Sequence, residues 1–132
     1  MSNRSVGNEF EREFALILAA NGFWVHRLNQ NQAGQPFDII ACKNGYAEAI
    51  DCKVCANDKF EFSRIEDNQY SAMRRWADCG NGNGWFALKL SDGDIYMMSY
   101  LQAENFQRER FFRLTEREIR TLYDLNDWLI NT

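Results

Sequence analysis

An Asn44-Gly45 dipeptide between two apolar runs is the feature that most constrains the fold of this chain. Both residues tolerate the positive φ angles of a two-residue type I′ turn, so the dipeptide predicts a β-hairpin. The run before the turn extends from Phe37 to Cys42, and the run after it extends from Ala47 to Val54. Both faces of the predicted strands are largely apolar, so we expect two central antiparallel strands that are covered on both sides.

Helical periodicity and capping-box patterns predict further elements around this hairpin. They are a helix from about Asn8 to Asn21, a strand from Phe23 to Leu28, a polar loop from Asn29 to Gln35, a helix from Ser63 to about Cys79, strands at Trp85–Leu90 and Asp94–Ser99, and a helix from Thr115 through Leu129. This order predicts an α/β fold with a mixed central sheet flanked by helices. The chain has 132 residues, the usual length of one domain, so we expect a single domain over residues 1–132.

The hairpin brings two acidic residues and one basic residue to the same face. If Asn44-Gly45 forms the turn, Asp38 lies opposite Asp51, and like charges in that position destabilise a sheet unless a cation lies between them. Lys53 emerges on the same face as Asp51, because side chains alternate along a strand. This grouping suits phosphodiester hydrolysis with Mg²⁺ or Mn²⁺, since carboxylates hold the ion and the ammonium stabilises the developing charge. The alternative is an incidental grouping on a partly exposed hairpin.

Two residues on the predicted helices are oriented toward the same sheet. Glu11 lies closer to the apolar stripe of the first helix than Glu9 and Glu13 do. Gln69 interrupts the core-facing stripe of the second helix with an amide, and a buried amide needs hydrogen-bond partners. The alternative readings are a surface acid for Glu11 and a backbone-bonded amide for Gln69.

An ordered set of motifs resembles a known nuclease superfamily. The set consists of Gly7-x-x-x-Glu11-Arg12, Gly22-Phe23 to Arg27, Asp38 and, after the hairpin, Asp51-Cys-Lys53. It resembles the PD-(D/E)xK nucleases, and among them the archaeal-type and RecU-like Holliday junction resolvases. The similarity to RecU-like proteins continues through Phe62 to Gln69 and the strands from Trp85 to Met98. The resemblance implies a restriction-endonuclease-like core and a divalent-metal-dependent DNA endonuclease, most specifically a Holliday junction resolvase.

The resemblance also implies roles for individual residues. The metal-site acids would be Glu11, Asp38 and Asp51. The Cys52 carbonyl is implied as a further metal ligand, Lys53 as the catalytic lysine, and Gln69 as a polar residue that supports the metal site. Arg12 and Arg27 match basic positions implied in DNA contact. A four-way junction has two strands to be cut, so we expect a homodimer with two sites.

The net charge of −4 requires that basic residues gather locally if this chain binds DNA. The candidates are Arg12, Arg27, Lys59, Arg64, Arg74 and Arg75. The stretch from Phe106 to Arg113 interleaves aromatic and basic residues, so it is either a nucleic-acid platform or part of the core or an interface.

Other sequence features limit the alternatives. The first residues carry no signal peptide or membrane span, which predicts a cytoplasmic protein. The resemblance to resolvases implies a bacterial, archaeal or phage origin. The four cysteines do not form a zinc-ligand pattern, so we expect free thiols and no structural zinc. The segment before Asp38 is too short for the stalk with which RecU-like resolvases enter a junction. A restriction-like or repair endonuclease, and a non-catalytic DNA-binding domain of the same fold, therefore remain alternatives.

Overall fold

A computed structural model describes residues 3–28 and 36–132, so the loop predicted at Asn29–Gln35 lies outside the described residues. The helices are α1 (Asn3–Ala20), α2 (Asp67–Asp78), α3 (Tyr100–Arg108), α4 (Glu116–Ile119) and α5 (Leu125–Ile130). The strands are β1 (Trp24–Arg27), β2 (Ile39–Lys43), β3 (Tyr46–Cys55), β4 (Phe60–Glu61), β5 (Gly84–Leu90), β6 (Ile95–Ser99), β7 (Arg113–Leu114) and β8 (Tyr123–Asp124). Among the described residues, no helix is both long and apolar enough to cross a membrane.

The strands form one large sheet and one small one. The large sheet has the order β1-β2-β3-β5-β6-β8, and β4 pairs with β7 separately. β3 and β5 are parallel, while the other neighbouring pairs of the large sheet are antiparallel. Parallel neighbours need a crossover connection, and α2 lies in that connection. This arrangement confirms the predicted α/β class with a mixed central sheet flanked by helices.

The hairpin has the predicted turn and register. Asn44 and Gly45 have φ angles of 54° and 83°, as a type I′ turn requires. The ladder between β2 and β3 runs from this turn to the pair Ile39 and Ile50. Beyond that pair, β3 continues to Cys55 and pairs with β5 instead. The hairpin therefore ends where the two predicted aspartates lie.

Apolar residues cover both faces of the large sheet. On one face, α1 packs against the hairpin through a cluster that includes Phe10, Phe14, Leu18, Ile39 and Ile50. On the other face, α2 and α3 pack against a cluster that includes Ala49, Met73, Phe86, Leu88 and Ala103. The prediction of central strands covered on both sides is confirmed.

The second helix begins later than predicted. A 3₁₀ turn occupies Phe62–Arg64, and α2 starts only after it. The capping box joins Glu66 to Gln69, and the predicted box between Ser63 and Glu66 is wrong. Ile65 lies between the two elements in an extended conformation and is buried. Burial of this side chain requires a break in the helix, so tertiary packing overrides the local capping signal.

The predicted C-terminal helix is interrupted. The capping box of Thr115 and Glu118 opens α4 as predicted, but β8 follows before α5 begins. Tyr96 of β6 pairs with Asp124 of β8 at the edge of the sheet. The Asp124 carboxylate also accepts from the backbone N–H of Asp127 at 2.8 Å. Edge pairing and this new N-cap compete with a continuous helix.

Helix α3 has no counterpart in the prediction from sequence. It begins with a reciprocal capping box between Ser99 and Gln102, and it buries Tyr100 and Ala103. The Ser99-x-x-Gln102 spacing is the sequence signal that could have located this helix.

Candidate active site

The two aspartates of the hairpin face each other at the end of the β2–β3 ladder. The backbone N–H of Asp38 donates to the carbonyl of Ile50 at 2.9 Å, next to the last paired residues of the ladder, Ile39 and Ile50, and the Asp38 carboxylate lies close enough to Asp51 to raise the pKa of that carboxyl. Asp38 Oδ2 accepts a hydrogen bond from the backbone N–H of Cys52 at 2.8 Å. Asp51 is only 4% exposed. The structure thus brings together the two carboxylates that the hairpin register places opposite each other.

Lys53 lies next to Asp51 and is held from two directions. Its ammonium nitrogen is 2.9 Å from Asp51 Oδ2, and it donates to the carbonyl of Arg64 at 3.1 Å. Arg64 ends the 3₁₀ turn, and its guanidinium donates to the carbonyl of Val54 at 2.8 Å. Arg64 of the turn is therefore bonded to two consecutive residues of β3, Lys53 and Val54. A contact with a backbone carbonyl leaves no signature in the sequence, so sequence reasoning missed this partner of Lys53.

The carboxyl group of Asp51 has a buried oxygen with incomplete bonding. Oδ2 makes no well-oriented hydrogen bond with any described residue, although the Lys53 ammonium lies 2.9 Å away and attracts it electrostatically. Burial, followed by the charge of Asp38, raises the pKa of Asp51, against the opposing effect of Lys53. Buried polar atoms in native proteins rarely lack partners, and an ion or water is a common explanation.

Glu11 approaches this pair from α1, which packs on the opposite face of the sheet. Glu11 is 5% exposed, whereas Glu9 is exposed to solvent. One terminal nitrogen of Arg27 lies 3.7 Å from Glu11 Oε1. Burial and, second, the charge of Asp38 raise the pKa of Glu11 to about 7, against the effect of Arg27. The inward orientation is the one that the helix geometry predicts, and the charge of Asp38 contributes to the raised pKa of Glu11.

The sequence matches one family model over almost its whole length. A model of the archaeal Holliday junction resolvase (Hjc) family matches residues 2–130. The chain belongs to this family. The match confirms the predicted relation to Holliday junction resolvases and the predicted nuclease function. No curated protein was found to match the chain.

A solved structure supports the same fold. The resolvase resembles the structure of Archaeoglobus fulgidus Hjc, a Holliday junction resolvase from an archaeal hyperthermophile, with a TM-score of 0.69. The two sequences are 18% identical, and the match covers 93% of this chain and 97% of that chain. The likeness confirms the predicted restriction-endonuclease-like core.

Two of the arginines expected at the DNA line an open groove beside the resolvase site. Arg12 and Arg27 are exposed, and both border the groove between α1 and the ends of β3 and β5. Arg27 lies beside Glu11 and donates to the carbonyl of Asn8 at 3.4 Å. Both guanidinium groups are therefore accessible to phosphates on this side of the molecule.

Two further candidate arginines, Arg64 and Arg74, have protein partners. The guanidinium of Arg64 is bonded to Val54, as described above, and Arg64 is otherwise exposed. Arg74 donates to both carboxylate oxygens of Glu104, at 2.7 and 2.6 Å. This ion pair largely neutralises Arg74, so a role in phosphate binding requires that the pair open. Contacts of Arg64 and Arg74 with DNA stay predictions.

Gln69 has a structural role that the sequence analysis left open. It is 6% exposed, and its Oε1 accepts from the backbone N–H of Glu66 at 3.0 Å in the capping box of α2. This bond accounts for the burial of the amide oxygen. Support of a metal site by Gln69 stays a prediction.

The oxygen donors of the resolvase fit a hard divalent cation. Mg²⁺ in proteins binds to one or two carboxylates and keeps several waters. Asp38 and Asp51 supply two facing carboxylates, one with a buried oxygen that lacks a hydrogen bond to the described residues. Within residues 3–28 and 36–132, no three His, Cys, Asp or Glu side chains converge into a ready-made metal site. The fit is therefore that of a cation held by two carboxylates and water, and direct binding by Glu11 or the Cys52 carbonyl stays a prediction.

The raised pKa of Glu11 predicts how the stability of the metal-free resolvase depends on pH. Between the ordinary pKa of 4.5 and about 7, the folded carboxyl holds a proton that the unfolded chain releases, so stability falls as pH rises through this window. Glu11→Gln removes this contribution. In urea denaturation with EDTA, the free energy of unfolding of this variant should decline less than that of the wild type between about pH 5 and pH 8. At the upper pH it should exceed the wild-type value by on the order of 1–2 kcal/mol.

Glu9→Gln is the matched control, because Glu9 lies on the same helix and is exposed. This variant should keep the pH dependence and the cleavage rate of the wild type, whereas Glu11→Gln should cleave more slowly. Identical pH profiles for the wild type and Glu11→Gln would contradict the placement of a buried, ionisable Glu11.

Proposed function

We propose that this resolvase hydrolyses phosphodiesters of four-way DNA junctions with Mg²⁺ or Mn²⁺, at a site formed by Asp38, Asp51 and Lys53. The observation that carries the proposal is the pair of facing carboxylates with a lysine ammonium 2.9 Å from one of them. Repulsion between the buried carboxyl of Asp51 and the neighbouring carboxyl of Asp38 destabilises the fold, and such groups concentrate at functional sites. Membership of the Holliday junction resolvase family supplies the substrate class.

In the proposed site, the cation and the protein side chains have different roles. The bound cation supplies a Lewis acid that polarises the phosphate and lowers the pKa of a coordinated water. Asp38 and Asp51 hold that cation, and each must be ionised to do so. The hydrogen bond from the Cys52 N–H fixes the orientation of Asp38 at 2.8 Å. Glu11, from the opposite face of the sheet, completes the acidic surroundings of the cation.

Lys53 acts on the phosphate in this proposal. Its ammonium is oriented by the Arg64 carbonyl before substrate arrives, so little reorganisation is needed to stabilise negative charge on the phosphate oxygens. The side chain is 14% exposed, which reduces solvent screening of that interaction. Its charge also offsets part of the repulsion between Asp38 and Asp51 in the metal-free protein.

A cleavage assay on four DNA structures tests the proposal. A four-way junction, a flap, a nicked duplex and a plain duplex of the same sequence would be incubated in Mg²⁺, Mn²⁺ or EDTA. We expect metal-dependent cleavage with a preference for the junction. Equal rates on plain duplex would instead support a restriction-like or repair endonuclease, and binding without cleavage would support a non-catalytic domain.

Phosphate contacts by the groove arginines predict a salt effect on DNA binding. Arg12→Glu should weaken junction binding about tenfold and reduce the slope of log affinity against log salt by about 1. Lys43→Glu is the control, because Lys43 ends β2 at the turn, roughly 17 Å along the strand from Asp38. An equal loss in both variants would show that the effect reflects total charge rather than this groove.

We also propose that the resolvase acts as a homodimer. Each chain presents one Asp38–Asp51–Lys53 site, while resolution of a junction requires two symmetric cuts, and a two-fold dimer supplies two sites. Sedimentation velocity at micromolar concentration, with and without junction DNA, tests this proposal. A monomer under both conditions would contradict it without affecting the proposed chemistry.

A further inference from the structure

The aromatic and basic stretch that follows α3 divides into a buried part and an exposed part. Phe106 and Phe111 pack together, with ring centroids 5.2 Å apart, and both contact the core on the α2 side of the sheet. Phe112 is 81% exposed. Core packing therefore explains the first two aromatic residues but not the third.

Phe112 is linked by backbone hydrogen bonds to the segment that holds the catalytic lysine. The backbone N–H of Phe62 donates to the Phe112 carbonyl at 3.0 Å, where β4 and β7 pair. Phe62 begins the 3₁₀ turn that ends at Arg64, and the Arg64 carbonyl accepts from Lys53. Given ordinary strand and 3₁₀ spacings, the Phe112 backbone lies roughly 10–15 Å from the Lys53 ammonium. The Phe112 backbone is thus connected to the proposed active site through one strand pair and one 3₁₀ turn.

Exposed basic residues flank Phe112 along the chain. Arg108, Arg110 and Arg113 are exposed, and among the described residues Arg110 and Arg113 form no ion pair within 4.0 Å. Acidic groups are also present, since Glu109 is exposed and Glu61 lies across the strand pair from Arg113. The local excess is nevertheless positive, in a chain whose net charge is −4.

Arg110 also occupies a backbone conformation that arginine disfavours. It directly follows the C-cap residue of α3, and its φ angle is +67°. Helices commonly end with a left-handed residue at this position, and that residue is usually glycine. Arg110 therefore adopts a backbone conformation that non-glycine residues disfavour, and residues in such conformations cluster at functional sites.

We infer that Phe112, Arg110 and Arg113 form a surface that recognises the branch point of DNA. The inference rests on the proposed function. A four-way junction exposes base faces at its centre, whereas a plain duplex keeps its bases stacked inside. Phe112 stacks on one of these faces, and the arginines contact the neighbouring phosphates. At about 3.4 Å per nucleotide, the stacked base lies roughly three to four nucleotides from the cleaved phosphate.

Substitutions of Phe112 test the stacking contact. Affinity would be measured by fluorescence anisotropy, in EDTA to prevent cleavage, on an immobile four-way junction and on a duplex of matched length. Phe112→Ala should lose roughly 5- to 150-fold in junction affinity and little in duplex affinity. Phe112→Trp should bind like the wild type, whereas Phe112→Leu should bind like the alanine variant, because leucine is apolar but cannot stack. Ile130→Ala is the control, since Ile130 is 80% exposed on α5.

Arg110→Asn separates DNA contact from folding. Asparagine tolerates the left-handed conformation better than arginine does, so the melting temperature should not fall. Junction affinity should fall severalfold, and the slope of log affinity against log salt should decrease by about 1. A lower melting temperature with unchanged junction affinity would overturn the inference, because Arg110 would then serve the fold alone.

Other outcomes distinguish the inference from its alternatives. Loss of the dimer in Phe112→Ala, with recovery in Phe112→Leu, would show that the surface binds a second copy of the chain and would overturn the inference. A wild-type protein that cleaves the junction while Phe112→Ala keeps full affinity would overturn it and leave the proposed function intact. A wild-type protein that neither binds nor cleaves the junction would instead contradict the proposed function.

Discussion

Lys53→Ala is expected to lower single-turnover cleavage of a four-way junction by about 10²–10³-fold or more in Mg²⁺. The substitution removes the cation that stabilises charge on the phosphate, and no other described lysine contacts Asp51 or Asp38. Asp51→Asn should cause a loss of the same order, because it removes one negative charge from the metal site. Quenched-flow kinetics at saturating enzyme would separate this loss from any change in binding.

Folding should survive these substitutions. Without Lys53, the pKa of Asp51 rises further, since the lysine is the group that lowers it, and the carboxyl becomes neutral rather than remaining a buried charge. Lys43→Ala is the matched control, because Lys43 ends β2 at the turn, roughly 17 Å along the strand from Asp38. Wild-type cleavage by Lys53→Ala, with the control also unchanged, would contradict the catalytic assignment of Lys53.

Phe14→Ala should destabilise the resolvase by about 3–5 kcal/mol. Phe14 is 0% exposed at the centre of the α1 packing surface, next to Phe10, with ring centroids 5.9 Å apart. Truncation leaves a cavity between α1 and the sheet that the packed surroundings can fill only in part. Because α1 also carries Glu11, the loss should be accompanied by weaker burial of that carboxyl.

Leu16→Ala provides the comparison on the same helix, since Leu16 is 62% exposed. Its free energy of unfolding should change by less than about 0.5 kcal/mol. Equal losses in the two variants, measured by urea denaturation at one pH in EDTA, would contradict the described orientation of α1.

The parts of the fold that could be predicted from sequence are those in which local and tertiary preferences agree. Asn44-Gly45 specifies a turn whose geometry also suits the central sheet, so the register of the β2–β3 ladder could be predicted by counting residues. The proximity of Asp38 and Asp51, just beyond the ladder, follows from that register. The apolar stripe of α1 likewise fixed which way Glu11 points.

Prediction failed where tertiary packing opposes a local signal. The Ser63-x-x-Glu66 pattern favours a helix start, but burial of Ile65 holds the chain extended and moves the start to Asp67. The C-terminal apolar period continues through Leu122 and Leu125, yet edge pairing with β6 interrupts the helix between them. Such competition between distant parts of the chain has no signature in a short window of sequence.

In the candidate site, too, features set by local sequence could be predicted and features set by tertiary packing could not. Side chains of Asp38, Asp51 and Lys53 could be identified from alternation and pairing, because their placement depends only on the hairpin. The position of the Arg64 carbonyl that orients Lys53 is set by the 3₁₀ turn. That turn packs through Phe62 into the core on the face of the sheet covered by α2 and α3. The ion pair between Arg74 and Glu104 joins α2 to α3, and α3 was not predicted.

The most direct test of the central claim is a junction cleavage assay in which each strand of a four-way junction is labelled in turn. The proposed mechanism and dimer predict symmetric cuts in two opposing strands in Mg²⁺ or Mn²⁺, no cuts in EDTA, and no cuts by Asp51→Asn. Cleavage of the junction in EDTA, or wild-type cutting by Asp51→Asn, would contradict a metal-dependent resolvase site at Asp38, Asp51 and Lys53.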